Sequence, residues 1–159
     1  MRKSALIMIA TAAAAVTACA NARSATEFGT IEEAKAMLKR AVIAVQQDKI
    51  AAINSFNYND IPFRDRDLFV FCFNAGDGKF TAHEAFVTWD VRKLRDSSGK
   101  AFGAEMYATA KEGRITEITY TAPLPGTTRL AKKRAYVTRV GDQVCGVSAY
   151  LTRSLNSAL

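Results

Sequence analysis

The stretch Phe63–His83, FRDRDLFVFCFNAGDGKFTAH, decides how the rest of the chain is read. From Asp67 to Asn74 the side chains alternate, with Leu68, Val70 and Cys72 on one face and Phe69, Phe71 and Phe73 on the other. A half-solvated strand has one apolar face. This one has two, so it is expected at the centre of a sheet covered on both sides. NAGDGK (74–79) then reads as a tight turn, because Gly76 and Gly78 accept the backbone angles such turns need. Phe80 to His83 returns as a shorter strand. A calcium-loop reading of the same turn fails: with Gly78 in the sixth position, Phe73 and Ala75 fall where carboxylates are required. The stretch is a hairpin.

Upstream, TIEEAKAMLKRAVIAVQ opens with Thr30 and places Glu33 three residues later, a capping-box pattern. Ile31, Ala34, Leu38, Ala41, Val42 and Val45 recur at helical spacing, which predicts a helix over 31–47. KIAAINSF predicts a further helical piece entered through Asp48, and NYNDIPF a loop. Downstream, residues 84–100 have no regular period and carry a turn signal at DSSGK. AFGAEMYATAKEG reads as a short helix with Phe102, Met106 and Ala110 on one side and Gly113 as its stop. RITEITYTA, KRAYVTRVG and QVCGVSAYL read as three more strands. PLPGTTR is a long turn after the first of them, and Gly141-Asp142 is a tight turn before the last. The order suggests one α+β domain, with a long N-terminal helix and a five-stranded antiparallel sheet of PAS-like type.

The first 22 residues differ in kind. Arg2 and Lys3 precede the apolar run Ala5–Ala18, and small-residue cleavage patterns follow at Ala18-Cys19-Ala20 and Ala20-Asn21-Ala22. That is the pattern of a secretory signal peptide, 1–22, leaving a single domain over 23–159. VTAC (16–19) also resembles the bacterial lipobox, in which Cys19 would be lipidated. Either way export is expected, to the periplasm, with the chain free or tethered by lipid. The formal charge of +7 becomes +5 once Arg2 and Lys3 leave with the signal. The basic residues are dispersed apart from AKKR (131–134), which reads as a solvated face, and nucleic acid is not an expected partner outside the cytoplasm.

No catalytic constellation is visible. His83 is the only histidine, and no HExxH, CxxC or GxSxG spacing accompanies it, so neither a metal site nor an activated nucleophile is expected. A strand-end histidine reads as structural or as a hydrogen-bonding group at a pocket edge. Cys72 and Cys145 fall on the first and last predicted strands, in a compartment where disulfides persist.

Four motifs in order, FRDRDLFVFCFNAGDGKFTAH, LRDSSGKAFG, ITYTAPLPG and KRAYVTRVGDQVCGVSAY, resemble the Cache family of extracytoplasmic sensor domains, in its single-domain secreted form. The likeness runs from about Thr30 to Tyr150. It implies a helix behind a five-stranded sheet of spatial order 2-1-5-4-3, and a small-ligand pocket in front, closed by the segment between the second and third strands. It also makes the strands of Cys72 and Cys145 neighbours, so that a disulfide or two buried thiols would follow. Lys133 matches the family's lysine three residues before an aromatic and would hold a ligand carboxylate, with Lys132 on the opposite face. Trp89, Tyr107 and Tyr120 are amphipathic aromatics expected to border the pocket, and His83 its edge; Tyr136 and Tyr150 are assigned to the core or sheet. Two positions depart from the family pattern, Trp89 where a glycine is usual and Ser148-Ala149 in a glycine-rich ending.

The reading that results is a periplasmic small-molecule sensor domain with no cofactor and no catalysis. Its ligand would be an organic acid before an amino acid, amine or purine, and its partner a membrane receptor, kinase or transporter. The alternative is a lipid-anchored or soluble accessory protein whose pocket is vestigial and whose surface binds a membrane partner.

Overall fold

The structure, a computed structural model, describes residues 28–151. The proposed leader, with Cys19, lies outside the described residues. Thr30 and Glu33 close their capping box: Thr30 Oγ1 accepts from the Glu33 amide at 3.2 Å, and the Glu33 carboxylate accepts from the Thr30 amide at 2.8 Å. Helix α1 then runs Ile31–Gln47 and buries Ala34, Met37, Leu38, Ala41 and Val45 along one stripe. Asp48 ends it and caps α2, Lys49–Asn57, by accepting from the Ala51 amide at 3.0 Å.

Six strands form one antiparallel sheet: β1 (Arg64–Asp65), β2 (Leu68–Asn74), β3 (Phe80–Ala82), β4 (Thr116–Pro123), β5 (Leu130–Val140) and β6 (Gln143–Tyr150). The order is β1-β2-β6-β5-β4, with β3 also on β2. β1 and β3 share one edge of β2, and β6 takes the other. The five expected strands are present, and β2 is central as its two apolar faces require. The sixth, β1, has only two residues and no alternation to announce it.

Those two faces separate two cores. Behind the sheet, Leu68, Val70 and Cys72 pack with the buried stripe of α1, Phe56 of α2, and Tyr136, Cys145 and Val147. In front, Phe71 and Phe73 pack with Phe80, Val91, Met106, Ile118, Val137 and Val144. Burying a side chain of this size is worth about 1.5–3 kcal/mol, so neither layer is dispensable.

Two details differ from the sequence reading. Helix α3 spans Phe102–Thr109 and stops before Gly113. The chain beyond it is drawn to β5 instead, where the Lys111 carbonyl accepts from the Arg139 amide at 3.1 Å and from Thr138 Oγ1 at 3.2 Å. Strand β5 begins at Leu130 and not at Lys133, because its pairing with β4 reaches Pro123↔Leu130, which takes in the first residue of the expected turn and the three residues after it. The free edge of β4 is covered by side chains: the Thr119 carbonyl accepts from Lys100 Nζ at 2.8 Å, and the Thr121 amide donates to Asp96 at 2.9 Å.

Cys72 and Cys145 oppose each other in the β2–β6 register, with Cα atoms 4.1 Å apart, and are joined by a disulfide. It links residues 73 apart in sequence and lies wholly within the rear core. Replacing both by alanine is expected to cost about 2–5 kcal/mol, since the unfolded chain then regains the freedom of that long loop. Urea unfolding of the double variant against wild type checks this, and an unchanged midpoint would contradict it.

Candidate functional site

The segment between β3 and β4 roofs the front of the sheet, and its backbone holds it there. Phe80 donates to the Trp89 carbonyl and accepts from the Thr88 amide, while the Val91 amide donates to the Gly78 carbonyl, each at 2.9 Å. Helix α3 then sits on the 3-10 turn Val91–Lys93 at Gly103, where a Cβ would lie 1.9 Å from the Val91 carbonyl oxygen. Only glycine fits that approach. Asp96 completes the attachment. Oδ1 accepts from the Ser98 amide and hydroxyl and the Lys100 amide, while Oδ2 accepts from the Thr121 amide. The Ser98 hydroxyl first, then these amides, hold its carboxyl well below the usual range.

Between roof and sheet lies a cavity of about 270 Å³. Phe69 and Phe71 of β2 and Phe80 of β3 form its floor on one side, with Ala122, Tyr120, Lys133 and Ser148 on the other. Phe86, Leu94, Arg95, Phe102 and Met106 come from the roof, and His83 from the strand end. Phe71 reaches across the sheet because Gly146 leaves room: a Cβ there would stand 2.4 Å from the Phe71 ring. Phe102 stacks on Tyr120, with centroids 4.2 Å apart and planes 4° from parallel.

Lys133 is the unusual member. Its side chain is 10% exposed, and its ammonium stands 3.9 Å from Asp67 Oδ2, beyond hydrogen-bonding distance. It lies 4.5 Å from the Tyr150 ring centroid and 6.0 Å from that of Phe69. Among the described residues, it has no hydrogen-bond acceptor, and Asp67 Oδ2 is buried without a donor. Burial lowers the Lys133 pKa, opposed by the charges of Asp67 and Glu84. A buried ammonium lacking an acceptor, on the wall of an open cavity, is a place for an anion.

Two other polar groups stand near it. His83 is packed among Phe69, Phe80 and Phe86, with centroids 4.7–5.3 Å away, and its Nδ1 accepts from the Ala85 amide at 3.0 Å. Burial, helped by the Lys133 charge, pushes its pKa down to about 4, so at neutral pH the ring is uncharged with its proton on Nε2. Burial pushes the Tyr120 phenol up to about 12, against the hydrogen bond to Ser148 that favours the phenolate. Neither group is a base or nucleophile poised for chemistry, and no three His, Cys, Asp or Glu side chains converge among the described residues.

Of the residues singled out from sequence, His83, Tyr120 and Lys133 line the cavity together. Tyr107 lies outside it. Its hydroxyl donates to the Gly76 carbonyl at 2.9 Å and Arg92 covers its ring, so it braces the β2–β3 turn. Trp89 also lies outside, 59% exposed, with its ring against the outer side of Phe86. Lys132 turns away from the cavity, donating to Thr121 Oγ1. Sequence reasoning did not single out Phe86, Leu94 and Arg95, which come from a segment without a period, and it placed Phe102 on one side of the short helix without assigning it to the pocket. Ser148 was visible only as a departure from glycine.

The pH dependence of folding follows from His83. An unfolded histidine titrates near 6.5, so below that pH the unfolded chain binds a proton that the folded chain refuses until about pH 4. Stability is expected to fall as pH drops through that window, by about 2–3 kcal/mol, and His83→Gln to remove this component. Urea midpoints of both proteins from pH 7 to pH 4 test it; parallel curves would refute a buried neutral imidazole.

No protein-family model matches the chain, and no curated protein matches it. Solved structures do. A methyl-accepting chemotaxis protein from Vibrio parahaemolyticus superposes with a TM-score of 0.60 at 20% identity, over 77% of this chain and 88% of that one. The periplasmic sensor domain of a chemotaxis protein gives 0.56 at 18%, over 76% and 89%. A Cache chemosensory domain studied for carboxylic acid recognition gives 0.58 at 15%, over 76% and 92%. The chain has the fold of the Cache chemosensory domains.

Proposed function

We propose that the protein is an extracytoplasmic sensor domain that binds a small organic acid in the front cavity without transforming it. The observation that carries this reading is Lys133, whose side chain is nine-tenths buried and whose ammonium, set in the cavity wall, has no hydrogen-bond acceptor among the described residues. A carboxylate would supply the hydrogen-bond acceptor that Asp67, at 3.9 Å, does not. The apolar rings around it exclude water and strengthen that contact. The solved chemosensory domains share the fold and supply the analogy for sensing.

In this reading a periplasmic chain, delivered by its 1–22 leader, meets its ligand outside the cytoplasm. No helix among the described residues is long and apolar enough to cross a membrane. In the same reading, occupancy is read by a membrane receptor, kinase or transporter that distinguishes the loaded from the empty roof.

Thermal unfolding against a panel of acids, amino acids, amines and purines tests the proposal. An acid at about 100 times its dissociation constant should stabilise by about 2.7 kcal/mol, a shift of roughly 2–8 °C. Lys133→Met, which keeps the apolar stem, should abolish the shift. A flat response across the acids would remove the proposal in favour of an accessory protein with an idle pocket.

A further inference from the structure

We infer that the cavity selects acids with a single carboxylate on an apolar body of about ring size, and rejects diacids, hydroxy acids and amino acids. This rests on the acid-binding reading and narrows it. Charge is the first argument. Lys133 already has a counter-charge in Asp67, which stands behind it and not on the cavity wall. The acid nearest to His83 in sequence, Glu84, is taken by Arg64 at 2.8 Å. His83 is neutral at physiological pH, with Nδ1 occupied by the Ala85 amide. Arg95, on the wall at the solvent side, has no ion pair or hydrogen bond among the described residues. The cavity thus holds one uncompensated positive charge. One carboxylate cancels it; a second would sit among phenylalanine rings with nothing to offset it.

The wall chemistry gives the second argument. No aspartate or glutamate lines the cavity, so the ammonium of an amino acid or amine would find no counter-charge. Beyond Lys133 and Arg95, the wall's polar side chains are two hydroxyls, Tyr120 and Ser148, and the His83 imidazole, whose Nδ1 is already taken by the Ala85 amide. What remains is apolar: five phenylalanines, 69, 71, 80, 86 and 102, surround the space. A site of this kind discriminates strongly against a ligand polar group it cannot pair. Size agrees, since a dry apolar cavity of about 150 Å³ holds benzene, and 270 Å³ leaves room for a carboxylate beside the ring. Lys133 would hold that carboxylate from the sheet, and Arg95 from the roof, closing the mouth over it.

Calorimetric titration of the full chain with benzoate, phenylacetate and 4-methylpentanoate, against succinate, malate and norleucine, tests this. At least one of the first three should bind about tenfold or more tightly than any of the last three. Arg95→Gln, on the exposed rim, should weaken that acid about three- to tenfold without moving the unfolding midpoint. Tighter binding of succinate, malate or norleucine, abolished by Lys133→Met, would overturn the selectivity and leave acid binding standing. Binding by none of the six would remove both.

Discussion

Everything in this fold depends on β2 having no solvent face. Its even residues must be covered by something, and its odd residues by something else. The capped stripe of α1 meets the first demand, with Leu38 and Ala41 completely buried in the rear core. The second demand is harder, because phenylalanines on a flat sheet need a layer and only irregular chain and one short helix are available. That layer is held by backbone bonds to β3, by Asp96 and by Gly103, and it packs on the sheet where Phe73, Phe80, Val91 and Met106 meet and where Phe102 stacks on Tyr120. Where it stands off, nearer Phe69 and Lys133, a cavity remains. The functional site is thus the part of the front core that the roof leaves unfilled.

Most of the frame was legible in the sequence because it rests on period. Helix α1 follows from Thr30, Glu33 and the spacing of six apolar positions, and its bounds agree with 31–47. The strands follow from alternation, which also separates Lys133 from Lys132: one faces the cavity, and the other donates to Thr121 on the rear side. The positions of the roof side chains do not follow from any period. Phe86 and Trp89 are equally aromatic and three residues apart. What decides between them is the turn at Thr88, with φ of +75°, and the bonds that tie residues 88 and 89 to Phe80. These are tertiary facts, and so Trp89 faces solvent while Phe86 takes the wall.

The helix end shows the same limit. Gly113 is a reasonable stop by composition, with φ of +68° that suits glycine. The chain leaves the helix at Ala110 because two groups of β5 claim the Lys111 carbonyl. Competition for a carbonyl by a strand nearly thirty residues away leaves no local mark. The disulfide sits between these cases: the cysteines were evident, but their opposition required the strand order, which came from resemblance and not from spacing.

Asp67 is where the two layers of the molecule meet electrically. Its Oδ2 faces the Lys133 ammonium at 3.9 Å, while Oδ1 accepts from the Gly29 amide at 2.7 Å, one residue before the cap of α1. Gly29 can approach so closely because a Cβ there would lie 2.2 Å from the Leu68 side chain. Beside it, Phe28 packs edge-on against Tyr150, whose ring covers the same ammonium. The residues that lead into the rear helix and the cation of the front cavity therefore share one carboxylate and one aromatic ring. A charge that had been paired only within the cavity would leave the rear layer indifferent to it. Shared as it is, Asp67 ties the chain that enters α1 at Gly29 to the strand that carries the cavity's cation across the sheet.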